Sequence, residues 1–322
     1  MSLTNTSSTY GAVTKTFHWL TALLIATVIP LGVIAYDLPY DTSEELARKA
    51  WLFSLHKTVG VTIFFVALAR IAWAFSQPKP GLLNSEKKAE ALLAEIVHWL
   101  LYGSLVLVPL TGWVHHAATT GFAPIWWPFG QSLPFVPKDN DLAALFAGLH
   151  MVLERVMIVS ILLHVAGALK HHIIDKDVTL LRMWPGRREM PVPPAHLRSV
   201  LPLIAAAAIW AGAIGAGSAL GAYDRHDVMP TAEALAQVDS DWAVQDGTLG
   251  ITVQQFGSPV SGSFADWTAA ITFAERSDPG PAGAVEVIVS IASLTLGSVT
   301  SQAMDTDFFD AQYSGESCVY SV

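Results

Sequence analysis

Five apolar stretches, at about residues 17–36, 51–75, 96–117, 142–169 and 200–221, are each long enough to cross a hydrocarbon layer of ~30 Å. That feature limits the fold more than any other. A backbone in lipid must satisfy its own hydrogen bonds, so each stretch has to be a helix. Composition agrees: 52% of the 322 residues are hydrophobic and only 14% are charged, with mean hydropathy +0.44, where soluble domains carry roughly 25% charged residues. The net charge of -9 is unevenly spread. From Ala222 onward Arg225 and Arg276 are the only Lys or Arg, so the chain has two parts in different surroundings and no nucleic-acid partner is expected.

Lys and Arg near the span ends set the orientation. Lys79, Lys87 and Lys88 follow span two, with Arg70 just before them; Lys170, Lys176, Arg182, Arg187, Arg188 and Arg198 follow span four. The loop after span one is acidic, with Asp37, Asp41, Glu44 and Glu45. The N-terminus is therefore expected in the cytoplasm, and everything after span five in the periplasm. The polar N-terminus lacks a charged run before a short apolar core, so no removable signal peptide is expected. The lone Cys318 excludes an internal disulfide, a CxxC pair and a cysteine-held cluster.

Ionisable residues inside apolar spans are costly and mark functional sites. Span four carries His150 and His164, fourteen residues apart. That is close to four helical turns, so both face nearly the same way, roughly 21 Å apart along the axis. His18 starts span one at the expected cytoplasmic side, and His56 starts span two at the other. Depth pairs His18 with His164 and His56 with His150. Two imidazoles at one depth on facing helices are what a six-coordinate b-type haem needs, whereas zinc would lack ligands. Two such levels make an electron path across the membrane.

Other residues leave alternatives open. Arg70 needs a partner in span two, either a haem propionate or water reached by snorkelling. His98 reads as an interface anchor or as a quinone or proton-relay contact. His115 and His116 stand where quinol oxidation would release protons. His171 and His172 read as a solvated helix end or as propionate contacts. Gly60 admits a macrocycle close to the backbone or packs a neighbouring helix.

The phrases "TKTFHWLTALLI", "LHKTVGVTIFFVALARIAW", "EIVHWLLYGSLVLVPLTGW" and "HMVLERVMIVSILLHVAGALKHHIIDKDVTLLRMW" resemble the bacterial cytochrome b561 family, which is similar to the cytochrome b subunits of nickel hydrogenases and formate dehydrogenases. The resemblance covers roughly residues 8–185. It implies a four-helix membrane bundle with two b haems on His18, His56, His150 and His164. It also implies exchange of electrons with a ubiquinone-type quinone pool.

Span five, rich in Gly and Ala, reads as a tether. The sequence then alternates in period two, as strands do. "WAVQDGTLGITVQQFGSPVSGSFADWTAAITF" and "ASLTLGSVTSQAMDTDFFDAQ" resemble the YceI family of lipocalin-like barrels that bind polyisoprenoid lipids. That family continues for several strands past its "FFDA" phrase, so a barrel incomplete at its C-terminus is expected here, with Phe256, Phe264, Trp267 and Phe273 as core.

The expected organisation is a four-helix haem bundle over 1–190, a fifth membrane helix over 199–222, a linker over 223–239 and a partial antiparallel β-barrel over 240–322. The expected function is electron transfer by a multi-pass inner-membrane cytochrome between the quinone pool and a periplasmic or membrane partner, with quinol or superoxide as candidate substrates. Arg70 joins the four histidines as a cofactor-binding residue, and membrane lipid and quinone are the expected partners. Two other readings are a membrane-anchored polyisoprenoid- or quinone-binding module and the cytochrome b subunit of a larger dehydrogenase.

Overall fold

The computed structural model describes residues 2–186 (apart from 41, 84, 120–122 and 130), 191, 199–223, 235, 240, 242, 244–255, 258–273, 283–296, 300–304 and 317–321. Helices α1 (Ala12–Asp37), α2 (Ser43–Phe75), α3 (Lys88–Ala118) and α4 (Asn140–Ile173) are followed by the short α5 (Thr179–Met183) and by α6 (Leu201–Ala219). All but α5 are long and apolar enough to cross a membrane, and the chain is a multi-pass membrane protein.

The helices overrun the apolar windows where polar residues can serve helix ends. Thr42 and Glu45 form a reciprocal capping box that starts α2 eight residues before Trp51. Asp139 caps α4 by accepting from the Leu142 amide at 2.9 Å. Pro30 and Pro109 lie inside α1 and α3, where each removes one backbone hydrogen bond.

Packing is inside-out. Leu23, Val33, Ile34, Leu162 and Leu163 point outward, while Thr21, Ser54, Ser104, Thr111 and Ser160 are buried. Helix α1 packs closely on α2, α2 on α3, and α3 on α4. Val28, Ile63, Ala67 and Leu105 form one buried cluster, and Val108, Leu153 and Met157 another.

Helix α6 is more than a small-residue tether. It lies against α3 and α4, with the Trp210 ring seated in the notch at Gly103 and its indole N–H 3.4 Å from Ser104 Oγ. At its end Tyr223 fills the space over Gly148 and donates to the Ile214 carbonyl at 2.9 Å.

One end of the bundle, the near end, gathers the start of α1, the end of α2, the start of α3 and the end of α4. There α5 is stitched to the N-terminal segment. Trp19 Nε1 donates to Met183 O at 2.9 Å, Lys15 Nζ to Trp184 O at 3.0 Å, and the buried Arg182 to Gly81 O and Ser8 O at 2.8 and 3.0 Å. Burial pulls the Arg182 pKa down and pushes that of Tyr10, whose ring lies under the guanidinium, up. The clamp between α3 and α4 is ionic: Lys170 reaches Glu90 at 2.6 Å and Asp175 at 2.9 Å, and Lys87 reaches Asp175 at 3.2 Å.

The tail forms two antiparallel sheets. One has the order β1-β2-β5 (Leu249–Gln255, Ser258–Phe264, Leu294–Thr295), the other β3-β4-β6 (Trp267–Phe273, Gly283–Ser290, Ser317–Ser321). The described strands make no closed barrel. Val260, Leu294, Leu296, Ala303 and Met304 form the tail's core, with Phe264 against it. Trp267 is half-buried over Gly247. Phe273 departs from its expected core position. It ends β3 opposite Gly283, is 53% exposed, and among the described residues its ring meets the edge of Trp242. Phe256 lies outside the described residues.

Candidate cofactor site

The bundle brings the four histidines together in the two pairs that depth selects. His18 of α1 faces His164 of α4 at the near level, with ring centres 6.2 Å apart. His56 of α2 faces His150 of α4 at the far level, with ring centres 6.3 Å apart. A metal–imidazole bond is about 2.0 Å and a ring centre lies about 1.2 Å behind its nitrogen, so two rings on opposite sides of one iron have centres roughly 6.4 Å apart. Both separations match that sandwich.

At the far level the donor atoms are fixed as well. His56 Nδ1 lies 2.9 Å from the Val28 carbonyl, and His150 Nδ1 lies 2.8 Å from the Val108 carbonyl. A carbonyl only accepts, so each Nδ1 carries the proton and each Nε2 keeps its lone pair for a metal. These bonds need close approach to a helix backbone, which glycine supplies. A Cβ on Gly32 would come within 2.7 Å of the His56 ring, and one on Gly112 within 2.9 Å of the His150 ring. Valine carbonyl and glycine are one helical turn apart in both cases.

These four residues escaped the sequence reading, although a signal exists. Helices α1 and α3 both read His-Trp-Leu, with valine ten residues and glycine fourteen residues after the histidine: His18, Val28, Gly32 and His98, Val108, Gly112. Helices α2 and α4 both carry Leu-His, at Leu55–His56 and Leu149–His150. The bundle is thus built from two similar helical hairpins.

The near level is less symmetric. His98 occupies in α3 the place of His18 in α1, and it points inward rather than anchoring at the interface: its ring centre is 5.3 Å from that of His164. That is too short for two rings sharing one iron, so His18 is the better mate for His164. Fourteen residues after His56 stands Arg70; fourteen after His150 stands His164. Arg70 lies over the Tyr102 ring at 5.2 Å and acts electrostatically on His18, His98 and His164. Among the described residues nothing lies within 4 Å of where a Gly60 Cβ would be, so close packing of a neighbouring helix does not explain this glycine.

His115, His116 and His171 have protein partners. His115 Nδ1 pairs with Ala143 O at 2.8 Å, and His116 bridges Gln131 at 2.9 Å and Lys57 at 3.3 Å. His171 pairs with Asp177 at 2.7 Å, and His172 is exposed.

The residues therefore fit haem at both levels: matched ring separations, free Nε2 lone pairs at the far level and glycine cradles behind those rings. Residues 9–186 match the family model described as prokaryotic cytochrome b561. The chain is 34% identical to cytochrome b561 homolog 2 of Escherichia coli K12 over 185 residues, 57% of this chain and 95% of that protein. It is 28% identical to a protein of Yersinia pestis named probable superoxide oxidase CybB over 181 residues, 56% of this chain and 97% of that one. Cytochrome b561 homolog 1 of E. coli K12 is 26% identical over 171 residues, 53% of this chain and 94% of that protein.

Proposed function

Because this chain belongs to the prokaryotic cytochrome b561 family, we propose that its transmembrane, haem-based electron transfer uses two b haems, one on His18 and His164 and one on His56 and His150. The observation that carries this reading is the pair of cross-helix imidazole separations, 6.2 and 6.3 Å. Bound there, each haem would supply a one-electron Fe(III)/Fe(II) couple without an open coordination position, which favours transfer over oxygen activation. The levels are roughly 21 Å apart along α4, the rise of fourteen helical residues. Arg70 would hold a propionate at the near level.

The basic residues clustered at the near end support placing it in the cytoplasm and the far end in the periplasm of an inner membrane. Electrons would then pass between a ubiquinone-type quinone and a donor or acceptor on the periplasmic side, superoxide being one candidate by analogy with the Yersinia relative's name. The tail remains a YceI-like, lipocalin-type module by our proposal, and the alternation of its strands supports this.

The test is stopped-flow reduction of the purified, oxidised holoprotein by a short-chain ubiquinol and, separately, by superoxide. Ubiquinol should reduce the haem bands. If superoxide reduces them and ubiquinol neither reduces the oxidised protein nor is formed from quinone by the reduced one, the quinone link is wrong.

A further inference from the structure

The two levels differ in how the protein grips and surrounds their imidazoles. At the far level both histidines donate Nδ1–H to a helix carbonyl, at 2.9 and 2.8 Å. Such a bond makes the imidazole a stronger donor to its metal. A stronger donor stabilises Fe(III) over Fe(II) and lowers the reduction potential. The device is present twice, once per hairpin, and each copy depends on a glycine.

At the near level the repeat is broken. Among the described hydrogen bonds neither His18 nor His164 donates to a carbonyl. Where the second hairpin carries His164, the first carries Arg70, a fixed cation that acts on both near-level imidazoles. A nearby positive charge disfavours Fe(III), which carries one more unit of charge than Fe(II), and raises the potential. The far level has charges of both signs beside it: Lys57 acts on His56 and Glu154 on His150. No single sign of charge therefore stands against the two hydrogen bonds there.

Resting on the two-haem reading above, we propose that Gly32 and Gly112 are positioning residues that make the His56/His150 centre the lower-potential one, so that electrons run downhill from the far level to the near level. With both groups bound, one electron would pass from the centre held by His56 and His150, which is oxidised, to the centre held by His18 and His164, which is reduced. No bond forms or breaks and no proton moves. With the orientation proposed above, the built-in direction is from periplasm to cytoplasm.

The experiment is an equilibrium redox titration of the full-length holoprotein, followed in the visible bands, with His56→Ala and His18→Ala to assign the two waves. The wave missing from His56→Ala should be the lower one. Gly32→Ala and Gly112→Ala should each shift that wave upward and leave the other in place. Gly212→Ala, where a new Cβ meets nothing within 4 Å, should shift neither. If His56→Ala removes the higher wave, or if both cradle variants bind haem with unshifted waves, the proposal is overturned. Should the cradle variants fail to assemble, the order of the two assigned waves in the parent protein still decides the direction. A single haem per chain would instead sink the two-level reading, a result distinct from two waves in the wrong order.

Discussion

The membrane bundle and the tail solve the burial problem in opposite ways. The bundle turns aliphatic side chains outward and keeps histidine, serine and threonine inside, so its interior offers ligands. The tail keeps Val260, Leu294 and Leu296 inside a small cluster and spreads its strands over two three-stranded sheets. Three strands with one apolar face are near the lower limit for independent stability. The bundle therefore carries the chemistry on a rigid frame, and the tail should be the weaker unit.

Proteolysis tests that contrast with the largest expected effect. Limited digestion in detergent should cut after about Ala222 and release most of the tail. A haem-loaded fragment should remain, ending near Tyr223, which Gly148 and the Ile214 carbonyl hold against the bundle. Loss of the haem bands together with the tail would show that the two parts form one unit.

A smaller effect should come from acid. Lys170, followed by Lys87, holds the Asp175 carboxyl below its ordinary pKa. At Asp177 burial works in the opposite direction, but donors from Thr179 and His171 outweigh it and lower that pKa too. A depressed folded pKa means stability that is present above the unfolded value and lost as pH falls through the folded one. The clamp between α3 and α4 should thus be indifferent to pH from 7 down to about 5, and should loosen only as pH falls through and below the usual carboxylate range near 4. Thermal melts of the bundle across that range would show it. Asp175→Asn should flatten the acid limb, and an unchanged limb would remove Asp175 from the account.

Much of this was legible in the sequence. Apolar length alone gives the five membrane helices, because lipid allows few alternatives. The fourteen-residue spacing of His150 and His164 gives two levels, because α-helical pitch is nearly invariant. The early start of α2 was missed, although Thr42 and Glu45, three residues apart, are its signal in the sequence. What stayed hidden depends on contacts between helices. Gly32 and Gly112 look like ordinary packing glycines until His56 and His150 are seen against them. The inward turn of His98 needed the ring of His164 to reveal it. In the tail, Phe273 alternates like a core residue, yet its place at the end of β3 leaves it exposed.

The central claim is that two imidazole pairs hold two haems at separate depths. Pyridine haemochrome assay of the purified full chain, with His18→Ala, His164→Ala, His56→Ala and His150→Ala beside it, tests this most directly. The account predicts two b haems per chain, with His18→Ala and His164→Ala losing the same one and His56→Ala and His150→Ala losing the other. One haem or none in the parent protein, or a different partition among the four variants, would contradict it.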